Sequence, residues 1–228
     1  MAPAIPTATD NLYHLLLSVS ALGNNQISEK ISIIGTYTSL AAAKVAAHNG
    51  LHEAGYERSL FIEYETDVEF FEAENIPERS GLVVFARSPD GTTFRVRIKA
   101  TPNIPQVTTL GDDEKIPVSL FYVIETVIQL DKANRRISLK DSDVQGVFTT
   151  YQDARAHAEK ALIDEDDGVT EESFLEYVVA PPGEMDCGCG ENVIVHAIGD
   201  YGENYYISII QALEKNKKAT MVASLRAL

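Results

Sequence analysis

The stretch Gly35–Leu51, GTYTSLAAAKVAAHNGL, returns with changes at Gly146–Leu162 as GVFTTYQDARAHAEKAL. The two stretches align without a gap, each residue of the first lying 111 positions before its counterpart, as 35 lies before 146. In both, a glycine is followed two positions later by an aromatic residue and then by threonine. We interpret this match as part of an internal duplication that organises the whole chain.

Each of these stretches has the pattern of a strand end followed by a helix. Ser39 and Thr150 stand where an N-cap side chain accepts a hydrogen bond from the first turn. Small residues then recur at a spacing that places them on one helix face, namely Ala43, Ala47, Ala154 and Ala158. No glycine-rich loop precedes either helix, so the pattern favours a capped helix lying close on a sheet over an anion-binding helix N-terminus.

The duplication extends to both sides of this motif. Upstream, Leu12–Leu22 matches Leu120–Leu130 at a separation of 108, as 12 is from 120. The second copy therefore has three more residues before its helix, and we place them in the polar region 131–143, where an insertion is tolerated. Lys30–Thr38 is the second predicted strand of the first copy.

Three further strands are predicted after each helix. The first has the sequence Phe-Ile/Leu-Glu-Tyr in both copies, and the other two form a hairpin. The predicted segments are Phe61–Tyr64, Leu82–Arg87 and Thr93–Lys99 in the first copy, and Phe174–Tyr177, Val193–Ile198 and Asn204–Ile210 in the second. The predicted fold class is α+β: two tandem β-β-α-β-β-β repeats, each an antiparallel sheet with one helix packed on it, arranged as a pseudo-dimer.

The predicted domain organisation follows from these repeats. A Pro-rich linker with the acidic run 112–114 separates the copies. The predicted segments are a flexible tail at 1–11, the first repeat at 12–100, the linker at 101–117, the second repeat at 118–213, and a C-terminal tail or short helix at 214–228.

Composition limits the classes of partner. The chain of 228 residues has a formal net charge of −15, so its surface repels nucleic acid phosphates and anionic membranes. We find no apolar run of membrane-spanning length and no secretory signal, and expect a cytoplasmic protein. The expected partner is a protein or a small molecule, and a homodimer would cover the apolar face predicted for the second copy.

No metal or cofactor site is predicted. Cys187-Gly188-Cys189 lacks the second cysteine pair of a structural zinc site, which favours two free cysteines in a loop. The acidic run 164–167 resembles a calcium loop, but Ile163 and Phe174 would occupy two of the ligand positions and cannot chelate. Phosphate loops and dinucleotide fingerprints are also missing from the sequence.

The repeated glutamate of the Phe-Ile/Leu-Glu-Tyr segment is the first candidate for chemistry. Glu63 and Glu176 would form a pair of acids suited to general acid–base catalysis. The alternative is a glutamate paired with a lysine or arginine on the neighbouring strand. Strand alternation predicts Ile62 and Tyr64 on one face, and Phe61 and Glu63 on the other.

The hairpin supplies the remaining candidates. A tight turn at Ser88–Gly91 would place Ala86 opposite Phe94 and Phe85 opposite Arg95. The helix-covered face would then carry Leu82, Val84, Ala86, Phe94, Val96 and Ile98. The opposite face would carry Val83, Phe85, Arg87, Arg95, Arg97 and Lys99. At equivalent positions the second copy has Ile194, His196, Ile198, Tyr206, Ser208 and Ile210.

Two functions remain open from the sequence, and whether the protein is an enzyme stays undecided between them. The first is a non-catalytic binding or interaction protein built from a duplicated module. The alternative is a small-molecule enzyme or ligand-binding protein with a polar site between the two repeats, suited to an anionic or carbonyl-bearing ligand. Its candidate catalytic residues are Glu63, Glu176 and His196, and its candidate ligand-binding residues are Arg95, Arg97 and Tyr206.

Overall fold

The structure, a computed structural model, describes residues 9–23, 26–66, 81–109, 114–131 and 136–212. Most of the predicted N-terminal tail and the predicted C-terminal tail or helix at 214–228 lie outside these residues. The chain folds as two compact units, and Ser28–Val118 supplies most of the first and Ser119–Gln211 most of the second. Within the described residues, no helix is both long enough and apolar enough to cross a membrane.

The first unit is a five-stranded antiparallel sheet with two helices on one face, in the spatial order β2-β1-β5-β4-β3. Its strands are β1 Asn11–Gly23, β2 Gln26–Tyr37, β3 Glu63–Glu65, β4 Leu82–Arg87 and β5 Thr93–Pro102. Its helices are α1 Leu40–His48 and α2 Gly50–Glu53, followed by a 3₁₀ turn at Arg58–Leu60. The hydrophobic core lies between α1, α2 and the sheet.

The second unit repeats this architecture in the order β7-β6-β10-β9-β8. Its strands are β6 Phe121–Asp131, β7 Arg136–Phe148, β8 Glu176–Val179, β9 Val193–Ile198 and β10 Glu203–Gln211. One helix, α3 Tyr151–Ala158, packs on β6, β7, β9 and β10, and a 3₁₀ turn at Glu171–Ser173 precedes β8. The predicted α+β class is therefore confirmed.

Strand order and register agree with the duplication. β2 corresponds to β7, β1 to β6, and β5, β4 and β3 to β10, β9 and β8, so the two sheets have one strand order. Val19 faces Phe94 across β1 and β5. Their predicted counterparts, Val127 and Tyr205, face each other across β6 and β10. The two different separations inferred from the sequence, 108 and 111, therefore bring equivalent residues together.

Both predicted helix starts are present. The Ser39 hydroxyl accepts from the Ala42 amide at 3.2 Å, and the Thr150 hydroxyl accepts from the Asp153 amide at 3.2 Å. These bonds satisfy amides that lack an intrahelical partner. The four alanines predicted to lie on the sheet, Ala43, Ala47, Ala154 and Ala158, are completely buried.

The register of the first hairpin also follows the prediction. Ala86 faces Phe94, and Phe85 faces Arg95. The turn between them is closed by Asp90, whose carboxylate accepts from the Thr92 amide at 2.9 Å.

At the far end of this hairpin, the predicted faces of Leu82 and Val83 are wrong. A β-bulge interrupts the register between Leu82 and Val84. Leu82 consequently faces Arg97, while Val83 joins the helix-covered core. The cause is an extra residue in one strand, which reverses side-chain direction from that point.

The second unit has the bulge at the equivalent position, where Ile207 faces Val195 and Ser208 faces Val193. A residue with left-handed backbone precedes both bulged strands, Gly81 with a φ of 69° and Asn192 with a φ of 63°. The amides of Ile98 and Ile209 donate to these two residues' carbonyls at 2.8 and 3.1 Å.

The prediction for Phe61 and Ile62 is also wrong. Phe61 precedes β3 and is 7% exposed in the core, whereas Ile62 is 67% exposed. Tyr64 packs on the same core as Phe61. Strand alternation fails because the 3₁₀ turn at Arg58–Leu60 ends next to Phe61, so that the strand begins only at Glu63.

The described parts of the predicted linker pack on the first unit. The Asn103 side-chain amide donates to the carbonyls of Thr9 and Val107 at 3.0 and 2.9 Å. Further on, the Ile116 amide donates to the Thr36 carbonyl at 2.8 Å. This segment thus covers the end of edge strand β2, whose backbone would otherwise be open to pairing.

Candidate functional site

The six candidate residues divide between the two units. Glu63, Arg95 and Arg97 belong to the first, and Glu176, His196 and Tyr206 belong to the second. A polar site shared by the two repeats stays a prediction.

Glu63 forms an ion pair with Arg87, its direct neighbour on β4. Their side chains are 31% and 49% exposed, so water screens the pair and it contributes about 0–1 kcal/mol. The contact is the cross-strand pairing considered as the alternative to acid–base catalysis. Glu176 differs, because the residue facing it on β9 is Ile198.

Arg95 and Arg97 lie on β5 and are partly exposed. The Arg95 guanidinium lies 5.6 Å from the centre of the Phe85 ring and donates to the Thr93 hydroxyl at 3.2 Å. Arg97 faces Leu16 on β1. The pairing of Arg95 with Phe85 and Thr93 gives it structural contacts within its own sheet.

His196 is 8% exposed and packs against Tyr206, with ring centres 4.7 Å apart. Its Nε2 lies 3.1 Å from Asn204 Oδ1, so the proton is on Nε2 if this oxygen accepts. Its Nδ1 is buried and has no hydrogen-bond partner among the described residues. His196 and Tyr206 thus come together as a packed pair on neighbouring strands.

The two cysteines are free thiols on the loop before β9. The loop is anchored there by a hydrogen bond from the Cys187 amide to the Val193 carbonyl at 2.8 Å. Burial, the neighbouring Cys187 thiol and the charge of Glu176 raise the pKa of the Cys189 thiol. The raised pKa favours the protonated, weakly nucleophilic form of the Cys189 thiol. No group of three or more metal-ligating side chains occurs within the described ranges.

An aromatic cluster that was not predicted from the sequence occurs in both units. In the first unit Phe61 lies 5.6 Å from Tyr64 and 5.1 Å from Phe94, measured between ring centres. We call these three residues the first aromatic cluster. Phe61 and Phe94 are buried, and the Arg58 guanidinium lies 4.5 Å above the Tyr64 ring.

The second aromatic cluster is formed by Phe174, Tyr177 and Tyr205. Phe174 lies 5.4 Å from Tyr177 and 5.9 Å from Tyr205. All three rings are partly exposed, in contrast to the buried Phe61 and Phe94. Phe174 and Tyr205 are therefore partly open to solvent, whereas their counterparts Phe61 and Phe94 lie in the core of the first unit.

The charged groups that act on the two tyrosines of the second aromatic cluster are carboxylates. Burial raises the pKa of Tyr177 to about 12, and the charge of Glu171 adds to the rise. Burial also raises the pKa of Tyr205, helped by the charges of Glu203 and Glu125. In the first unit burial raises the pKa of Tyr64, but there the charge of Arg58 opposes the shift.

The signal for this site was present in the sequence. Phe61 and Phe174 are matched at a separation of 113, and the same separation matches Arg58 with Glu171. Comparisons of the chain with family models, with curated proteins and with solved structures found no match.

Proposed function

We propose that the protein is a non-catalytic binding protein and that its second unit presents the binding surface. The observation that carries this proposal is the difference between the two aromatic clusters. In the first unit Phe61 and Phe94 are buried, and Arg58 lies over the ring of the partly exposed Tyr64. In the second unit all three rings are partly exposed, and the charged groups that act on its two tyrosines are acidic. Exposed aromatic surface with fixed charges at its edge is typical of binding sites.

The state of the candidate catalytic residues supports binding rather than catalysis. Glu63 is paired with Arg87, and the ring of His196 is held by Asn204 and Tyr206. A general base needs access to the proton that it removes. A glutamate held by a cation and a histidine 8% exposed are poorly placed for that role.

The proposal is tested by thermal-shift screening of the full-length chain against metabolites, organic cations, anions and metal ions. A ligand that binds only the folded state raises Tm in a saturable way. We expect such a rise with at least one compound, and we expect that compound to be recovered unchanged after prolonged incubation, as checked by mass spectrometry.

Two variants locate the binding. Glu203→Gln alters the second aromatic cluster's surroundings, and Glu63→Gln makes the same chemical change in the first unit. The first variant should weaken binding and the second should not. Conversion of any bound compound to a product, or a screen without any saturable shift, would contradict the proposal.

A further inference from the structure

The two aromatic clusters have the same construction. The ring planes of Phe61 and Tyr64 meet at 51°, and those of Phe174 and Tyr177 meet at 45°. The second contact is edge-on in both units, at 73° for Phe61 with Phe94. The corresponding angle for Phe174 with Tyr205 is 76°. The groups that contact the first aromatic cluster therefore indicate which ligand the second aromatic cluster can bind.

In the first unit the cluster holds a guanidinium group. Arg58 opens the 3₁₀ turn before Phe61 and lies 4.5 Å above the Tyr64 ring. It also donates from Nη1 to the Phe61 carbonyl at 3.4 Å. The group thus has two partners, an aromatic face and a backbone oxygen, which together fix its position.

In the second unit the corresponding residue has the opposite charge. Glu171 opens the equivalent 3₁₀ turn before Phe174, and its carboxylate acts electrostatically on Tyr177. The backbone oxygen that corresponds to the Phe61 carbonyl is that of Phe174. It accepts no hydrogen bond from any residue that the structure describes.

Two further carboxylates, Glu203 and Glu125, act on the second aromatic cluster. Glu203 is 8% exposed, and with Glu125 it lies within electrostatic reach of the Tyr205 phenol. The charged side chains that influence Tyr177 and Tyr205 are all acidic. A cation at this position would be attracted by the aromatic faces and by the carboxylates together.

We propose that the second aromatic cluster binds a guanidinium group supplied by a ligand, in the position that Arg58 occupies over the first. The site would consist of the face of Tyr177, the Phe174 carbonyl as a hydrogen-bond acceptor, and the Glu171 carboxylate as a charged partner. A planar guanidinium matches this combination, because it stacks on rings and donates to oxygens in its own plane. The inference rests on the proposed binding function and names its ligand class.

The guanidinium group has two natural sources, a free small molecule and an arginine side chain of a peptide. The full-length protein is therefore titrated by NMR with methylguanidinium and with a capped Gly-Arg-Gly peptide. N-methylurea and the matching citrulline peptide are the neutral controls of the same shape. We expect the two charged ligands, and neither neutral one, to shift the ring resonances of Phe174, Tyr177 and Tyr205. Tighter binding of the peptide than of methylguanidinium would identify an arginine side chain as the source.

The decisive variant is Glu171→Arg, which gives the second unit the residue of the first. Its own guanidinium should occupy the site, so that affinity for the charged ligands falls by about tenfold or more, the scale of a cation–π contact combined with a charge pair. Glu172→Arg is the matched control, since it makes the same charge change at the next exposed position. This control should change affinity by less than about twofold, because its charge is screened by water.

The outcomes separate this inference from the proposed function. Equal binding of the arginine and citrulline peptides, or equal losses in Glu171→Arg and Glu172→Arg, would overturn the guanidinium site. If the thermal-shift screen nevertheless finds a ligand, the binding function stands and only its ligand class is wrong. If neither the screen nor the titrations detect binding, both are wrong.

Discussion

The aromatic ring of Phe148 lies over Gly146, and a β-carbon at Gly146 would come within 2.8 Å of Phe148 Cε2. Tyr37 lies over Gly35 in the same way, and a β-carbon at Gly35 would come within 2.9 Å of Tyr37 Cε2. Alternate residues of a strand share a face, so the ring can fold back over the position that lacks a side chain. This contact explains why both copies contain glycine two residues before an aromatic residue.

Gly146→Ala should therefore destabilise the protein. The added methyl group would push against the Phe148 ring, and overpacking of this kind costs about 1–3 kcal/mol in the free energy of unfolding. Urea denaturation measures the change. Combining the substitution with Phe148→Leu removes the ring. The double variant should therefore lose less stability than the sum of the losses in the two single variants. A Gly146→Ala variant as stable as wild type would show that the ring moves aside without cost.

The buried alanines of the helices give a second prediction. Ala47 and Ala158 are completely buried where α1 and α3 meet their sheets. Ala47→Leu or Ala158→Leu should each lower the free energy of unfolding by about 1–3 kcal/mol, because the helix must move away from the sheet. Val45 lies on the same helix as Ala47 but is 69% exposed. Val45→Leu should therefore leave Tm nearly unchanged, and equal effects at the two positions would contradict the packing described.

The sequence predicted the parts of the fold that depend on repetition and periodicity. Matching the copies was enough to place the helices. Each copy has a capping residue, Ser39 or Thr150, followed four positions later by a buried alanine, Ala43 or Ala154. Such patterns depend on local backbone geometry and on one-sided burial, which act within a few residues.

The errors came where one residue changes the direction of the chain. The bulge that turns Val83 into the core follows Gly81, and the bulge of the second unit follows Asn192. Glycine and asparagine both tolerate left-handed backbone, but neither residue type shows that an extra residue will enter the strand. The aromatic clusters were missed because their members lie on two segments far apart in the sequence. Phe61 and Tyr64 are near in sequence, but Phe94 joins them only through the pairing of β3, β4 and β5.

Arg155 gives a third prediction, since it fixes the loop after β8 to helix α3. Its Nη2 donates to the carbonyls of Ala180 and Pro181 at 2.7 and 3.0 Å, and its Nη1 donates to the Glu184 carbonyl. Its Nε donates to Glu159 at 2.8 Å, one turn later in the chain. The planar fork of donors makes these contacts together, which a single ammonium group cannot reproduce.

Arg155→Lys should consequently destabilise the second unit although it preserves the charge. We expect a loss of about 1–3 kcal/mol in the free energy of unfolding, the range for hydrogen bonds from a charged donor. Hydrogen exchange at the loop amides of residues 183–192 should also become faster. Lys160→Ala, at an exposed position nearby, is the control and should change stability by no more than about 0.5 kcal/mol. Similar effects of the two substitutions would mean that the loop does not depend on Arg155.

The last prediction concerns His14, a completely buried histidine on β1. Its Nδ1 lies 3.0 Å from the Thr36 hydroxyl and its Nε2 lies 2.8 Å from the Thr101 hydroxyl, so the ring bridges the neighbouring strands β2 and β5. Burial lowers the pKa of His14 from 6.5 to about 3, because the charged imidazolium would lose its hydration. The folded protein therefore keeps this ring neutral under mildly acidic conditions.

The unfolded chain binds a proton at His14 near pH 6.5, whereas the folded chain does so only near pH 3. Between these values the unfolded state carries more protons, so stability rises with pH and is lost as the pH falls. The contribution of the buried, neutral His14 to the free energy of unfolding is complete above about pH 6.5. Below that pH it decreases by on the order of 1.4 kcal/mol per pH unit.

His14→Gln removes this titration, so its unfolding free energy should fall less steeply between pH 6 and pH 4 than that of wild type, as measured by urea denaturation at each pH. His52→Gln, at an exposed histidine, should keep the wild-type slope. If His14→Gln shows the same slope as wild type, His14 must already be charged in the folded protein, and the burial of a neutral ring between Thr36 and Thr101 would be wrong.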